Sequence, residues 1–167
     1  MRGKVLGVLM FLFISFTGYA QSPIGKGGKQ INLGFGFSGI GLPIYGGMDF
    51  GVHEDITVGF LIDYRNYNES YHSFKYKHNV WTFSGNGNYH FNTILDIPRE
   101  WDFYAGLTIG FQSWSSPDGY SGSYNSGLGL GGQVGGRYYF NEQLGINLEI
   151  NGGSVTTGGK LGLSIRL

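Results

Sequence analysis

The sequence predicts an all-β protein, an eight-stranded antiparallel up-and-down transmembrane β-barrel. Three observations predict it. Segments in which apolar and polar residues alternate with a period of two recur from residue 30 to the last residue, the signature of strands with one apolar face. The chain holds 32 Gly, 12 Tyr and 13 Phe, no Cys, and only 13% charged residues, which suits a closed sheet with a crowded interior and a lipid-facing wall. It also opens with an export signal. Arg2 and Lys4 flank the start of an apolar run from Val5 to Phe16, and the small residues Gly18 and Ala20 follow, the layout of a cleaved signal peptide. The run is shorter than the roughly 20 apolar residues of a membrane-spanning helix. Residues 1–20 are expected to be the signal peptide and residues 21–167 the barrel domain.

Charge narrows the function classes. The 11 basic residues less Arg2 and Lys4 leave nine against 11 acidic ones, a net charge of −2 for the mature chain. That offers no basic patch and argues against nucleic acid as a partner. An exported chain without Cys has no disulfides to lean on, so its stability must come from sheet closure and packing.

The elements follow in order. After a polar lead-in, strand one covers residues 30–38, with Ile31, Leu33, Phe35 and Phe37 on one face. Strand two, residues 44–52, sets Ile44, Met48, Phe50 and Val52 against Tyr45, Gly47, Asp49 and Gly51. His53-Glu54-Asp55 reads as a tight turn. Strand three, residues 56–65, sets Ile56, Val58, Phe60, Ile62 and Tyr64 against Thr57, Gly59, Leu61, Asp63 and Arg65. Residues 66–78 read as a polar, aromatic loop. Strand four runs to Phe91, with Trp81, Phe83, Tyr89 and Phe91 on the apolar face and Thr82, Ser84, Asn86, Asn88 and His90 on the other. Residues 92–100, with Pro98, form a connection.

Strand five, residues 101–112, sets Trp101, Phe103, Ala105, Leu107, Ile109 and Phe111 against Asp102, Tyr104, Gly106, Thr108, Gly110 and Gln112. Residues 113–127 form a Ser, Gly, Tyr loop. Strands six and seven make the clearest hairpin, residues 128–150, turning at Asn141-Glu142-Gln143. This register pairs Phe140 with Leu144, puts Arg137 opposite Asn147 and leaves Glu149 diagonal to Arg137, within reach of a long side chain. Residues 152–159 are a Gly/Ser/Thr loop, and strand eight covers residues 160–167. These lengths match the 9–11 residues of a tilted membrane strand. Short turns gather at one end and long loops at the other, which predicts both termini on the periplasmic side.

Alternation alone does not say which face points outward, since a soluble eight-stranded barrel alternates too, with its apolar face inward. Three features favour lipid. No charge interrupts the apolar face of any strand. The polar face is rich in Gly. The apolar face carries two rows of aromatics near opposite strand ends: Phe50, Tyr89, Phe91, Trp101, Phe103, Tyr138 and Phe140 in one, Phe37, Tyr64, Trp81 and Phe111 in the other. Two such rows are the interfacial girdles of a membrane barrel.

The candidate functional residues are the charges of the inner face: Asp49, Asp63, Arg65, Arg137, Glu149 and Arg166. Eight strands leave an interior just wide enough for side chains, so these residues read first as a polar network that fills and closes the lumen. Re-pairing among Arg137, Glu149, Asp63 and Arg65 would make a gate. His53, His72, His78 and His90 show no zinc-ligand spacing, so no metal is expected. The Gly-rich run 129–136 is not followed by a helix and is no phosphate loop, so no cofactor is expected. Enzyme chemistry needs a hydroxyl and an imidazole at one height. His72 and Ser73 are adjacent and would face opposite sides of a strand, and Ser84 and His90 are six residues apart. The reading is therefore a non-enzyme.

The stretches Gly136-Arg137-Tyr138-Tyr139-Phe140-Asn141, Asn88-Tyr89-His90-Phe91-Asn92 and Tyr104-Ala105-Gly106-Leu107 resemble the outer-membrane β-barrel domain family of small OmpA/OmpX-like proteins. The likeness covers residues 29–167. The last strand, with Lys160, Gly162, Ile165 and Leu167, is similar to the C-terminal signal of that family. It departs at Leu167, where such proteins commonly end in Phe or Trp. The resemblance implies an integral outer-membrane location, with contacts to lipid and lipopolysaccharide and to the barrel-assembly machinery, and a monomer. The expected role is structural or surface-interaction based, with an extracellular ligand meeting loops 66–78 and 113–127. The alternative is a narrow or gated pore for ions or small solutes.

Overall fold

The computed structural model describes residues 23–39, 41–71, 74–115 and 126–167. Eight antiparallel strands close into one barrel: β1 (Lys29–Phe37), β2 (Ile44–His53), β3 (Ile56–Tyr71), β4 (Phe74–His90), β5 (Trp101–Ser115), β6 (Gly127–Tyr139), β7 (Leu144–Gly153) and β8 (Gly158–Arg166). Each strand pairs with the next in sequence, and β8 returns to β1 from Gln30↔Arg166 to Phe37↔Gly159. The fold class predicted from the sequence is the one observed. The β6–β7 hairpin has the predicted register, with Arg137 opposite Asn147 and the Phe140 amide donating to the Leu144 carbonyl at 2.9 Å.

The barrel is inside-out relative to a soluble one. Among the described residues, sixteen polar or charged residues are buried against six apolar ones. Large apolar side chains on all eight strands face outward, with Leu107 75% and Leu128 79% exposed. Burying that wall in water-free lipid satisfies it, and the closed strand ladder leaves no backbone edge unpaired within the wall. The outward band of β5 runs from Trp101 to Phe111. Ten steps of ~3.3 Å, tilted by ~40°, span about 25 Å, the height of the apolar band in membrane barrels. Aromatics cluster at both rims. Trp101 lies 4.8 Å from Tyr138 and 5.7 Å from Phe103 at one, and Tyr64 lies 4.7 Å from Trp81 at the other.

The β2–β3 and β6–β7 turns are short and sit at the end that also holds Lys29 and Leu167. The β4–β5 connection there carries a single helical turn, α1 (Asn92–Leu95), closed by Asp96 in the left-handed region at φ 51°.

Two expectations about loops need correction. Residues 66–78 are not a loop: β3 continues to Tyr71 and β4 begins at Phe74, paired from Arg65↔Val80 to Tyr71↔Phe74. Likewise β5 extends to Ser115, so the loop expected over 113–127 begins later. The reason is physical. Past Arg65 the sequence no longer alternates apolar with polar residues, so the contrast that marks a strand disappears while the backbone ladder continues. Residues 72–73 and 116–125 of those two stretches lie outside the described residues.

The inner-face glycines make room for polar side chains. A Cβ on Gly135 would strike the Tyr104 ring, and one on Gly162 would strike the Tyr45 hydroxyl. Gly135→Ala is expected to push Tyr104 off its place and to cost about 1–3 kcal/mol, read as a lower urea midpoint for unfolding from lipid vesicles.

Candidate functional site

The site is the lumen. Its charges come from alternate positions of six strands, and direct cross-strand neighbours decide the pairing. Asp102 stands opposite Arg137 in the β5–β6 register, and Lys160 stands opposite Glu149 in the β7–β8 register. Arg137 forks between two carboxylates, donating Nη1 to Asp102 at 3.0 Å and Nη2 to Asp49 at 2.8 Å, and lies 4.3 Å over the Tyr104 ring. Glu149 takes Lys160 at 2.9 Å, the Asn151 amide at 2.6 Å and the Tyr104 hydroxyl at 2.8 Å. The diagonal Arg137–Glu149 contact expected from the hairpin alone is therefore not made: each partner has a directly opposed charge closer to hand.

Asp63 and Arg65 do meet, Nη2 donating at 3.1 Å, and the Thr82 hydroxyl donates to the same carboxylate oxygen at 3.1 Å. Asp49 also accepts from Asn32 at 2.8 Å and Asn86 at 3.2 Å. Arg166 stays outside these ion pairs. It stacks 3.4 Å over the Tyr139 ring and donates to the Glu142 and Arg99 carbonyls at 3.3 and 3.5 Å. Tyr139 in turn bonds Gln30 across the lumen, so this layer plugs the short-turn end. Ile24 of the lead-in is buried beneath it.

Two charged lumen groups were not singled out by sequence reasoning, Asp102 and Lys160; His90 was placed on the inner face, but without its partners. His90 donates Nδ1–H to Asp102 at 2.6 Å, a carboxylate that can only accept, and its Nε2 lies 3.0 Å from the Thr57 hydroxyl. The order hydroxyl, imidazole, carboxylate is that of a catalytic triad. Here all three groups are buried, with Thr57 1% and the other two 0% exposed. None of the cavities described below touches them, so the row packs and orders the lumen. The signal that would have found it is Thr57, His90 and Asp102 all lying at the short-turn ends of neighbouring strands β3, β4 and β5. With Asp102 and Lys160 included, the described lumen holds four fixed cations (Arg65, Arg137, Lys160, Arg166) and four carboxylates (Asp49, Asp63, Asp102, Glu149).

The remaining space is small and graded. A central cavity of about 30 Å³ is lined by Tyr45, Asp49, Arg137 and Lys160 among others, room for one or two waters. A neck of about 10 Å³ shares Tyr45 and Lys160 with it and adds Asp63 and Arg65. A wider mouth of about 280 Å³ shares Arg65 with the neck and opens at the long-loop end past Gln112 and Val155. Val155 is folded into that mouth, 1% exposed, its carbonyl held by the Gln112 amide.

An apolar outer wall, aromatic rims and a charged, filled interior define a transmembrane β-barrel. Solved structures it is similar to include several small outer-membrane barrels. The outer-membrane protein OprG of Pseudomonas aeruginosa superposes with a TM-score of 0.68 at 11% identity, covering 87% of this chain and 99% of that one. The N-terminal β-barrel domain of Pseudomonas aeruginosa OprF gives 0.60 at 15%, covering 86% and 99%. Ail of Yersinia pestis, solved with the heparin analogue sucrose octasulfate, gives 0.56 at 13%, covering 85% and 99%. The chain thus has the fold of small eight-stranded outer-membrane barrels, and at these identities the likeness is one of fold. No protein-family model matches the sequence. No curated protein matches it.

Proposed function

We propose that this chain is an integral outer-membrane protein with a structural or surface-interaction role, its termini on the periplasmic side and its lumen closed. The observation that carries this reading is the lumen: every one of its carboxylates holds a cation, and the Tyr139–Gln30–Arg166 layer fills one end. A filled, charge-balanced interior supports a scaffold. The outward part that remains is the β3–β4 ribbon. β2 pairs with β3 only as far as Tyr64, and β5 pairs with β4 only from Asn79. Seven residues of β3 past Tyr64 rise by ~23 Å of strand with an edge that no other strand covers among the described residues. An open edge of that kind is a template for strand addition by a partner. An extracellular ligand would meet this ribbon, residues 66–78, and the region 113–127. Lipid and lipopolysaccharide contact the wall, the barrel-assembly machinery inserts the chain, and the protein acts as a monomer.

The test is a gel of the outer-membrane fraction, unheated against boiled, followed by planar-bilayer recording. A mobility shift without conductance steps is expected. Discrete steps from the unaltered protein would overturn the closed-lumen reading in favour of a narrow or gated pore. That second reading has its own support in the three cavities in series. Under it Lys160→Ala, which clears the neck, enlarges the steps; under the scaffold reading the variant stays silent.

A further inference from the structure

We propose that the outer wall at the long-loop rim binds the uncharged sugar headgroup of a membrane glycolipid, on Tyr64, Trp81, Asn66 and Asn79. The inference rests on the wall facing lipid and is independent of whether the barrel acts as scaffold or pore. Strand pairing stacks three outward rows there. The lowest is apolar, with Ile62 opposite Phe83 and Phe83 opposite Phe111. The next sets Tyr64 beside Trp81 and Trp81 beside Ser113, and the last sets Asn66 beside Asn79 and Asn79 beside Ser115. Along β4 the wall thus passes from apolar to aromatic to carboxamide between Phe83 and Asn79, and the upper two rows hold no charge.

These groups are open to an occupant. Trp81 is 46% exposed and Phe83 49%, while the Tyr64 ring braces Trp81 at 4.7 Å. The Tyr64 hydroxyl shares its proton between Asn66 Oδ1 at 3.0 Å and Asn79 Oδ1 at 3.2 Å. Those contacts hold both carboxamides by their oxygens. Each Nδ2, with its two donors, is left without a partner among the described residues. Asn66 is exposed, and the half-buried Asn79 keeps its Nδ2 at the surface.

Two such amides beside an open indole suit a sugar. A pyranose ring lays one C–H face on an aromatic plane and offers the hydroxyls of its edge to amide donors. Two residues of strand rise ~6.6 Å, so a ring laid on Trp81 brings its edge to the amide row. The apolar row beneath takes acyl chains, continuous with the rest of the wall, and that continuity commits the site to a membrane-anchored sugar rather than a free one. Neutral donors favour hydroxyls over a phosphate. Lys77 and Lys75 follow opposite Asn68 and Ser70 further along the ribbon, so an anionic lipid is the control that separates charge from sugar.

The probes are monoglucosyl and digalactosyl diacylglycerol, each titrated as a rising fraction of phosphatidylcholine nanodiscs that hold the refolded full barrel. The readout is the side-chain carboxamide NMR signals of Asn66 and Asn79. A saturable shift is expected with one or both glycolipids, and not with phosphatidylglycerol or soluble methyl glucoside at the same concentration. Trp81→Leu, which keeps the wall apolar, should weaken it about fivefold. Asn79→Ala, read at Asn66, should weaken it several-fold, and keeps the test decisive if Trp81→Leu does not fold. The heat-modifiable gel shift shows that the barrel is formed, and broadening of the Ile109 methyl signals by nitroxide on the acyl chains reports the lipid-facing wall separately. With that wall in place, three results would each overturn the proposal: no shift from either glycolipid, an equal shift from phosphatidylglycerol or the soluble sugar, or an undiminished shift in either folded variant.

Discussion

Arg137→Ala is expected to abolish the heat-resistant folded form of this barrel. The guanidinium is the shared partner of Asp49 and Asp102, which are 3% and 0% exposed. Removing it takes the guanidinium from two buried carboxylates at once, leaving Asp102 with His90 and Asp49 with the Asn32 and Asn86 amides. Breaking one buried pair from one side typically costs about 3–5 kcal/mol, and a small domain has roughly 5–15 kcal/mol in all. The effect is electrostatic rather than steric, and two further variants show that. Arg137→Lys keeps the charge but offers one ammonium where two forked donors served two carboxylates, so it should fall between. Arg137→Met combined with Asp49→Asn and Asp102→Asn removes the charges together and should regain most of the urea midpoint that Arg137→Ala loses. If Arg137→Ala unfolds at the midpoint of the unaltered chain, the lumen network does not stabilise the barrel.

The second large effect is expected on the opposite face. Leu107 sits midway along the outward band of β5 and is 75% exposed. In a membrane barrel an Arg at mid-depth on the lipid face costs about 2–4 kcal/mol, falling toward zero near the interfaces. Leu107→Arg should therefore lower the stability in vesicles by that amount. Phe111→Arg, at the aromatic rim, should cost much less. A protein whose outer wall met water would show neither the penalty nor the gradient, since exposed substitutions usually stay within about 0.5 kcal/mol.

These two sites also show what the sequence made legible. The period-two pattern placed Leu107 on the wall and Arg137 in the lumen without further information, because a strand's side chains alternate strictly and one charge on the wrong face would break the pattern. The β6–β7 turn is short enough to set its own register, so Arg137 opposite Asn147 was readable too. The partners of Arg137 were not. Asp102 reaches it through β5–β6 pairing, whose register is set beyond a long connection, and Asp49 reaches it across the barrel from β2. Lys160 escaped for another reason: the Gly/Ser/Thr run 152–159 reads as a loop with no set register, whereas β7 continues to Gly153 and β8 already begins at Gly158, which puts Lys160 opposite Glu149. Strand ends were lost where the sequence no longer alternates apolar with polar residues, as in β3 past Arg65. Mouth contacts such as Gln112 to Val155 depend on how a loop folds back, and no periodicity reports that.

The most direct test of the account is the orientation of the wall. The chain has no Cys, so single Cys residues placed one by one from Tyr104 to Ile109 report without background. Each variant is refolded in vesicles, labelled with a small fluorophore while unfolded, and read by quenching from lipids carrying a nitroxide on the acyl chain. Quenching should be strong at 105, 107 and 109 and weak at 104, 106 and 108, a strict period of two. Strong quenching at the even positions, or none at any, would contradict a barrel that turns its apolar face to lipid and its charges inward.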